Sequence, residues 1–343
     1  MRGFEPPPQA AGAGLHREIG GNAEHRQDQN CAADPLQKTH RGSIAPFTLR
    51  PRSCKRIFTA LAGAVPVREF HDPRGHHYFP GFLKARDREQ LLAWLRTLRP
   101  IWEQRYSTRR EPPAGEQQRM LLRPVYWLGN WQFACLDYYR PPRGTADRCV
   151  AAEPFPEVLS RVVAETERRI AKLFPRKDIP DGYRLNTCLV NFYGARREGE
   201  KWVDTARVGE HRDFEPGPVA SLSIGERALF QFVQSRRIGE REAPLVTQWL
   251  DDNSLQVFGG SFFKDRVFHR VQRVDKRAKI SLPPEIDSFR TRRINFTFRY
   301  VPTQHVTPFA KLGHEAREDV RGYVEELAQS SNFFRKALAA SNS

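Results

Sequence analysis

The segment Arg293-Ile294-Asn295-Phe296-Thr297-Phe298-Arg299 indicates the fold more clearly than any other part of the chain. In a β-strand, successive side chains point to opposite faces. One face of this strand would be apolar and pack on the outside of the sheet, while the other would carry two arginines, an asparagine and a threonine. Because a buried arginine without a partner is costly, the polar face must meet water, charge or a ligand. Two guanidinium groups suit a dicarboxylate, and a solvated edge strand is the alternative.

Three residues upstream of this strand have the side chains of a metal site. His211 and Asp213 are two residues apart, so on an extended segment they point the same way. His269 is the candidate third ligand. Two imidazoles and one carboxylate on one face of a metal leave open positions, which is the arrangement of non-haem Fe(II) oxygenases. A His-x-Asp pair by itself is weak evidence, since most such pairs are chance surface features.

Further motifs surround these residues. They are Asn-Phe-Tyr at 191–193, Gly-Glu-His-Arg-Asp at 209–213, Pro-Val-Ala-Ser-Leu-Ser-Ile-Gly at 218–225 and Ala-Leu-Phe-Gln-Phe at 228–232. With His269 and the Arg-x-Asn-x-Thr-x-Arg element at 293–299, the chain resembles the AlkB family of Fe(II)/2-oxoglutarate-dependent dioxygenases. The resemblance covers residues 67–302 and is densest from residue 184 onward.

The resemblance implies the cofactors, the reaction and the site residues. Fe(II) would be held at the catalytic centre by His211, Asp213 and His269, with 2-oxoglutarate as cosubstrate and O2 as oxidant. The cosubstrate pocket would be lined by Asn191, Tyr193, Arg293, Asn295, Thr297 and Arg299. The implied reaction is oxidative demethylation of N-alkylated nucleic-acid bases in DNA repair, of the 1-methyladenine or 3-methylcytosine type. It would release formaldehyde, succinate and CO2.

Residues 105–150 combine arginines with aromatic side chains, as a surface that stacks bases and holds phosphates would. The resemblance implies a substrate lid here, with Tyr126, Trp127 and Trp131 as candidates for contact with a flipped base. Core packing is the alternative for each, since large aromatic residues are mostly buried. Glu215 lies two residues beyond Asp213, where the family often has an acid, usually Asp, that contacts the base.

The pattern of elements predicts an α+β, mainly β fold, with a double-stranded β-helix core (a cupin-like jelly roll) and flanking helices. Strands are expected at about 219–224, 228–234, 246–250, 254–258, 266–271 and 293–300, and helices at about 87–98 and 155–174. The predicted dioxygenase domain spans 67–302. A helix around 315–339 would belong to a C-terminal helical appendage at 303–343. Residues 1–66 have Pro-rich and Gly-rich stretches without a period, so they are expected to be disordered or absent from the mature protein.

The 343-residue chain has a formal net charge of +16 and a pI of about 10, which favours a nucleic-acid partner, with DNA the first candidate. Its five cysteines form no CxxC pair, which indicates a reducing cytoplasm rather than a disulfide scaffold or a zinc module. No apolar run reaches the length of a membrane-spanning helix, and a monomer without membrane association is expected. The alternatives are an RNA or protein demethylase or hydroxylase of the same family, a small-metabolite oxygenase, and a non-catalytic nucleic-acid-binding module.

Overall fold

The computed structural model describes residues 69–108, 111–112, 114–132, 145–146, 149–204, 207–234, 243–272 and 279–341. The expected disordered segment 1–66 lies outside the described residues, as does part of the expected lid, including 133–144. In chain order the strands are β1 (Phe70–Asp72), β2 (His76–Phe79), β3 (Val125–Leu128), β4 (Asn130–Trp131), β5 (Cys149–Ala151), β6 (Thr187–Glu198), β7 (Lys201–Asp204), β8 (Val208–His211), β9 (Val219–Gly225), β10 (Ala228–Val233), β11 (Val246–Leu250), β12 (Ser254–Phe258), β13 (Phe268–Gln272), β14 (Phe289–Arg299) and β15 (Val306–Thr307). The helices are α1 (Ala85–Leu95), α2 (Glu157–Leu173), α3 (His314–Ala328) and α4 (Asn332–Ser341).

Two antiparallel sheets form the centre of the fold. The larger sheet has eight strands in the order β1-β2-β12-β9-β14-β6-β3, with β7 also paired to β6, and the smaller sheet has the order β11-β10-β13-β8. A third sheet of three short strands has the order β15-β5-β4. The predicted α+β, mainly β architecture with a jelly-roll core is confirmed, and a strand occurs at each of the predicted positions from 219 onward.

The two faces of β14 are used as the alternation of its side chains predicts. Ile294, Phe296 and Phe298 are fully buried in the main core, together with Leu159 and Val163 of α2. Burial of each such side chain contributes about 1.5–3 kcal/mol, which holds the apolar face against the helices. The polar face of β14 therefore points to the other side of the larger sheet.

A β-bulge at the start of β14 decides which arginine points to that polar side. The pairing of β14 with β6 shifts register between Thr291 and Arg293, so Arg292 is the extra residue. Arg292 pairs with two acidic side chains, whereas Arg293 is buried on the polar face of the sheet. Gly194 on β6 permits the close approach of the strands, because a Cβ there would lie 1.8 Å from the carbonyl oxygen of Arg290.

The helix α2 has the apolar stripe predicted for it, with Val158, Leu159, Val162 and Ile170 buried. In α1, Leu91 and Leu95 are buried in the same way. Both helices contribute to the main core with the larger sheet. Within the described ranges, none of the helices is long and apolar enough to cross a membrane.

The single helix expected around 315–339 is two helices in the structure. Helix α3 ends at Ala328 and α4 begins at Asn332, because the serines between them favour caps and turns over helix interior. Ser331 is buried, and its Oγ accepts a hydrogen bond from the backbone N–H of Phe334 at 3.4 Å. Val320 of α3 and Phe334 of α4 are buried in the main core, so both helices pack on the jelly roll.

Candidate metal centre and cosubstrate pocket

The three predicted metal ligands lie together at the edge of the smaller sheet. His211 ends β8, Asp213 follows two residues later, and His269 on β13 is the register partner of His211. One possible ligand atom from each residue lies within 4.8 Å of the others, and His269 Nε2 is 3.4 Å from Asp213 Oδ2. No other group of three or more His, Cys, Asp or Glu residues is arranged this closely in the described part of the chain.

Hydrogen bonding and burial leave the two imidazoles in the form that binds metals. His211 Nδ1 donates to the carbonyl oxygen of Gly209 at 2.9 Å, which leaves the lone pair of Nε2 available. Burial lowers the pKa of His211. Burial, and next the charge of His211, lowers the pKa of His269 well below its ordinary value. Both rings are therefore neutral at physiological pH, as metal ligands must be.

Asp213 is held as a carboxylate by Arg299. Arg299 Nε and Nη2 donate to Asp213 Oδ1 at 2.9 and 2.7 Å. Burial by itself would raise the pKa of Asp213, but Arg299, followed by His269 and Lys264, outweighs it, and the pKa lies below its ordinary value. Asp213 Oδ2 is buried and has no hydrogen-bond partner among the residues that the structure describes. Two neutral imidazoles and one such carboxylate oxygen are a ligand set that fits Fe(II).

Arg293 has the properties of an anchor for an anion. Its side chain is buried, and Nη2 donates to Ser223 Oγ at 3.0 Å. Its guanidinium lies 4.8 Å from the ring centroid of Tyr193. Nε and Nη1 are buried and have no hydrogen-bond partner among the described residues. A buried guanidinium with donors left over calls for an anionic acceptor, so the residues present fit a carboxylate of a dicarboxylate cosubstrate.

Asn295 and Thr297 lie on the same polar face but are hydrogen-bonded within the protein. Asn295 Nδ2 donates to Ser221 Oγ at 2.7 Å and to the carbonyl oxygen of Leu222 at 3.2 Å. Thr297 Oγ1 donates to Asn295 Oδ1 at 2.8 Å. The Asn295 contacts join β14 to β9, and Thr297 holds the Asn295 side chain in place, so the two residues stabilise the sheet face that carries Arg293 and Arg299.

Asn191 and Tyr193 contact Arg123, which lies in the predicted lid segment but was not predicted to belong to the cosubstrate pocket. Arg123 Nε donates to Asn191 Oδ1 at 2.6 Å, and its guanidinium lies 5.5 Å from the Tyr193 ring centroid. Arg123 comes two residues before β3, and Val125 of β3 is the register partner of Asn191. The sequence offers no local signal for this contact, because it depends on β3 being the neighbour of β6.

The structure corrects the expectation that Tyr126, Trp127 and Trp131 form an exposed stacking surface. Each is at most 2 % exposed and belongs to the main core. Tyr126 donates its hydroxyl proton to Glu153, and the two indoles donate to one oxygen of Glu103 at 2.7 and 2.5 Å. Helices α3 and α4 cover the indole of Trp131. The alternative that these residues pack in the core is the correct one.

Glu215, the fourth candidate for contact with a substrate, lies beside the metal centre. It is 1 % exposed, and its Oε1 is 3.6 Å from Arg299 Nε, which is too long for a hydrogen bond. Within the described part of the chain, no side-chain hydrogen bond reaches either of its buried carboxylate oxygens. Burial, only partly offset by Arg299, raises the pKa of Glu215.

Comparison with known proteins assigns the chain that carries this site to a family. The family model described as the 2OG-Fe(II) oxygenase superfamily matches residues 75–299. Among solved structures, OsALKBH1 is 20% identical, with 67% of this chain and 100% of that chain covered and a TM-score of 0.41. An oxidoreductase of the 2OG-Fe(II) oxygenase family from Burkholderia pseudomallei is 11% identical, with coverage of 66% and 84% and a TM-score of 0.34. No curated protein matches the chain.

Proposed function

This chain belongs to the 2OG-Fe(II) oxygenase superfamily, and from that premise we propose that it is an AlkB-type oxidative demethylase of N-alkylated nucleic-acid bases. The protein is an Fe(II)- and 2-oxoglutarate-dependent dioxygenase. The proposed substrate is DNA with 1-methyladenine or 3-methylcytosine, present as a single strand or with the base flipped out of a duplex. The proposed products are the repaired base, formaldehyde, succinate and CO2.

In this proposal His211, Asp213 and His269 hold the iron, and Arg299 keeps Asp213 ionised and oriented. Iron with 2-oxoglutarate, when bound, supplies the oxidation of the substrate methyl group by O2. The protein contributes an open coordination face and a buried surrounding. The ring of Phe230 stacks on His269 with a centroid distance of 5.5 Å, and this aromatic packing excludes water from one side of the site.

The same proposal gives the cosubstrate two anchoring points. Arg293 pairs with the carboxylate far from the metal, since its two unused donors require an acceptor. Arg299, which already contacts a metal ligand, serves the carboxylate near the metal. Tyr193 and Asn191 line the pocket between Arg293 and Arg123.

The observation that carries the nucleic-acid part of the proposal is an exposed basic and aromatic surface that continues from the cosubstrate pocket. Strand β6 runs from Asn191 in the pocket to Arg196 and Arg197 on the surface. In the adjoining β7, Trp202 is 40 % exposed, and the guanidinium of Arg290 lies 4.3 Å from its ring centroid. We call Arg196, Arg197, Trp202 and Arg290 the β6–β7 surface. Arginine beside an exposed indole suits phosphate contact and base stacking, and the net charge of +16 favours a polyanion.

The test measures formaldehyde and succinate from a methylated single-stranded oligonucleotide, with wild type compared with His211→Ala. Coupled release that is lost in the variant is expected. Succinate release without formaldehyde, from either DNA or RNA carrying the methylated bases, would contradict base demethylation while leaving the dioxygenase assignment in place.

A matched pair of variants tests the surface. Trp202→Ala is expected to weaken oligonucleotide binding by roughly 5- to 150-fold, since stacking of a base on an aromatic ring is worth ~1–3 kcal/mol. Trp249→Ala is the control, because Trp249 on β11 is 37 % exposed and also lies beneath an arginine, with Arg227 4.2 Å from its ring centroid. Equal effects of the two substitutions would refute the role of the β6–β7 surface.

A further inference from the structure

The residues next to the two histidine ligands contact one another on the reverse face of the smaller sheet. His211 and His269 are register partners on neighbouring strands, so the residues beside them in the chain point away from the metal centre. Glu210 precedes His211, and Arg270 follows His269. Arg270 Nη1 donates to Glu210 Oε1 at 2.8 Å. This ion pair therefore joins β8 to β13 directly behind the two imidazoles.

A second contact joins the same two strands on the other side of the histidine pair. Arg212 follows His211, and Phe268 precedes His269. The guanidinium of Arg212 lies 4.0 Å from the ring centroid of Phe268, which is a cation–π contact. Each chain neighbour of one histidine thus contacts a chain neighbour of the other. We name these four residues the reverse-face clamp: Glu210, Arg212, Phe268 and Arg270.

A β-bulge makes the orientation of His211 depend on the clamp. The pairing of β13 with β8 shifts register just after His269. Two residues of β8, Gly209 and Glu210, therefore lie opposite one residue of β13, Arg270. The carbonyl oxygen of Gly209 accepts the hydrogen bond from His211 Nδ1 at 2.9 Å, and that bond leaves Nε2 for the metal. The ion pair of the adjacent Glu210 fixes the backbone that orients this carbonyl.

A third strand holds the arginine of the clamp in place. Arg270 Nε donates to Oε1 of Gln231, its register partner on β10, at 2.9 Å. The residue before it, Phe230, faces the other way and stacks on His269. The side chain of Arg270 is 25 % exposed and that of Glu210 is 33 % exposed, so water screens their attraction only in part. Three strands therefore fix one guanidinium behind the metal centre.

We propose that the reverse-face clamp is a positioning device, which sets the spacing and orientation of the His211 and His269 imidazoles for the metal. This inference rests on the proposed function, in which both histidines hold the iron. The two ring centroids are 4.2 Å apart, and a change in the spacing of β8 and β13 would alter that distance. The clamp acts through the strands and through the carbonyl of Gly209, as residues that orient metal ligands from behind do.

The experiment measures the dissociation constant of Fe(II) for the full chain under anaerobic conditions. Arg270→Met is expected to raise it by roughly 10- to 100-fold, the usual cost of losing a group that orients a metal ligand. Glu210→Arg is expected to raise it as well. Glu210→Arg combined with Arg270→Glu restores the ion pair in the opposite direction, so this double variant should recover affinity relative to both single variants.

Arg227→Met is the matched control on the same sheet. Arg227 Nε lies 3.2 Å from Asp251 Oδ1, and its guanidinium lies 4.2 Å from the ring centroid of Trp249. Arg227 therefore makes the same two kinds of contact as the clamp, but neither histidine is its neighbour in the chain. Its loss should leave the affinity for Fe(II) at the wild-type value.

A measurement without metal separates positioning from a general loss of structure. Nitrogen NMR of the imidazole reports which ring nitrogen of His211 carries the proton in the unliganded protein. Wild type should carry it on Nδ1, which donates to Gly209. Arg270→Met should shift part of the population to the tautomer with the proton on Nε2, and the double variant should reverse this shift. The free energy of unfolding of each variant is measured by denaturant titration.

Wild-type affinity for Fe(II) in Arg270→Met would overturn the inference, and so would an equal loss of affinity in Arg227→Met. A lower free energy of unfolding with an unchanged His211 tautomer would assign the clamp a structural role only. If His211→Ala still binds one Fe(II), the proposed function loses its metal site. If His211→Ala loses the iron and Arg270→Met retains it at wild-type affinity, only the role of the clamp fails.

Discussion

Substitution of Arg293 by Met should weaken cosubstrate binding without lowering the thermal stability of the unliganded protein. Arg293 is 3 % exposed, makes a hydrogen bond to Ser223 and leaves Nε and Nη1 buried without a partner in the described residues. A carboxylate of 2-oxoglutarate would accept from these donors. Truncating one partner of a buried, hydrogen-bonded charge pair costs about 2–5 kcal/mol, which is roughly a 30- to 5,000-fold increase in the dissociation constant. The unliganded protein loses a buried charge that has no ion pair with any described residue, so its Tm should stay the same or rise.

The assay is anaerobic calorimetric titration of the Fe(II)-loaded protein with 2-oxoglutarate, together with thermal unfolding of the unliganded protein. Arg292→Met is the matched control one residue away. Arg292 pairs with Asp204, and its Nε lies 3.2 Å from Glu226 Oε2. Its loss should cost about 3–5 kcal/mol of stability while leaving cosubstrate affinity nearly unchanged. Unchanged affinity in Arg293→Met, or a fall in its Tm as large as that of Arg292→Met, would refute the reasoning.

Three further predictions concern the metal centre, a buried acid and the bulge. His269→Ala should abolish stoichiometric Fe(II) binding with an unchanged far-ultraviolet circular dichroism spectrum, and a variant that still binds one iron would contradict the assignment of this ligand. Burial raises the pKa of Glu103 from 4.5 to about 7, although the hydrogen bonds from Trp131 and Trp127 act in the opposite direction. The folded state therefore holds the proton more tightly than the unfolded state, and wild-type stability should fall as pH rises from 4.5 to 7, by on the order of 3 kcal/mol. The free energy of unfolding of Glu103→Gln, measured by denaturant titration, should not fall over this pH range. The same pH dependence in wild type and variant would contradict the raised pKa of Glu103. Gly194→Ala should lower stability by about 1–3 kcal/mol and weaken 2-oxoglutarate binding, because the new Cβ would overlap the carbonyl oxygen of Arg290. Wild-type stability and wild-type 2-oxoglutarate affinity in this variant would show that the strands tolerate a side chain at position 194.

The sequence by itself determined the features that depend on local periodicity. Alternation along 293–299 placed the phenylalanines in the core and the arginines on the polar face, and both are as predicted. The same alternation predicts that His211 and Asp213, two residues apart, point the same way. Helix α2 is amphipathic over its whole length, so its position and buried stripe could be predicted as well. Each of these features depends on the order of residues within one short segment, and burial of the apolar side chains in the fold stabilises it further.

Only the tertiary structure decided which segments cover one another. Trp127 and Trp131 have the composition of a stacking surface, but both are buried and donate their indole protons to Glu103, and α3 and α4 cover Trp131. Arg123 reaches the pocket because β3 pairs with β6. Strand order and the bulge bring together residues that are far apart in the chain. Their contacts follow from the closing of the whole jelly roll, which no short stretch of sequence encodes.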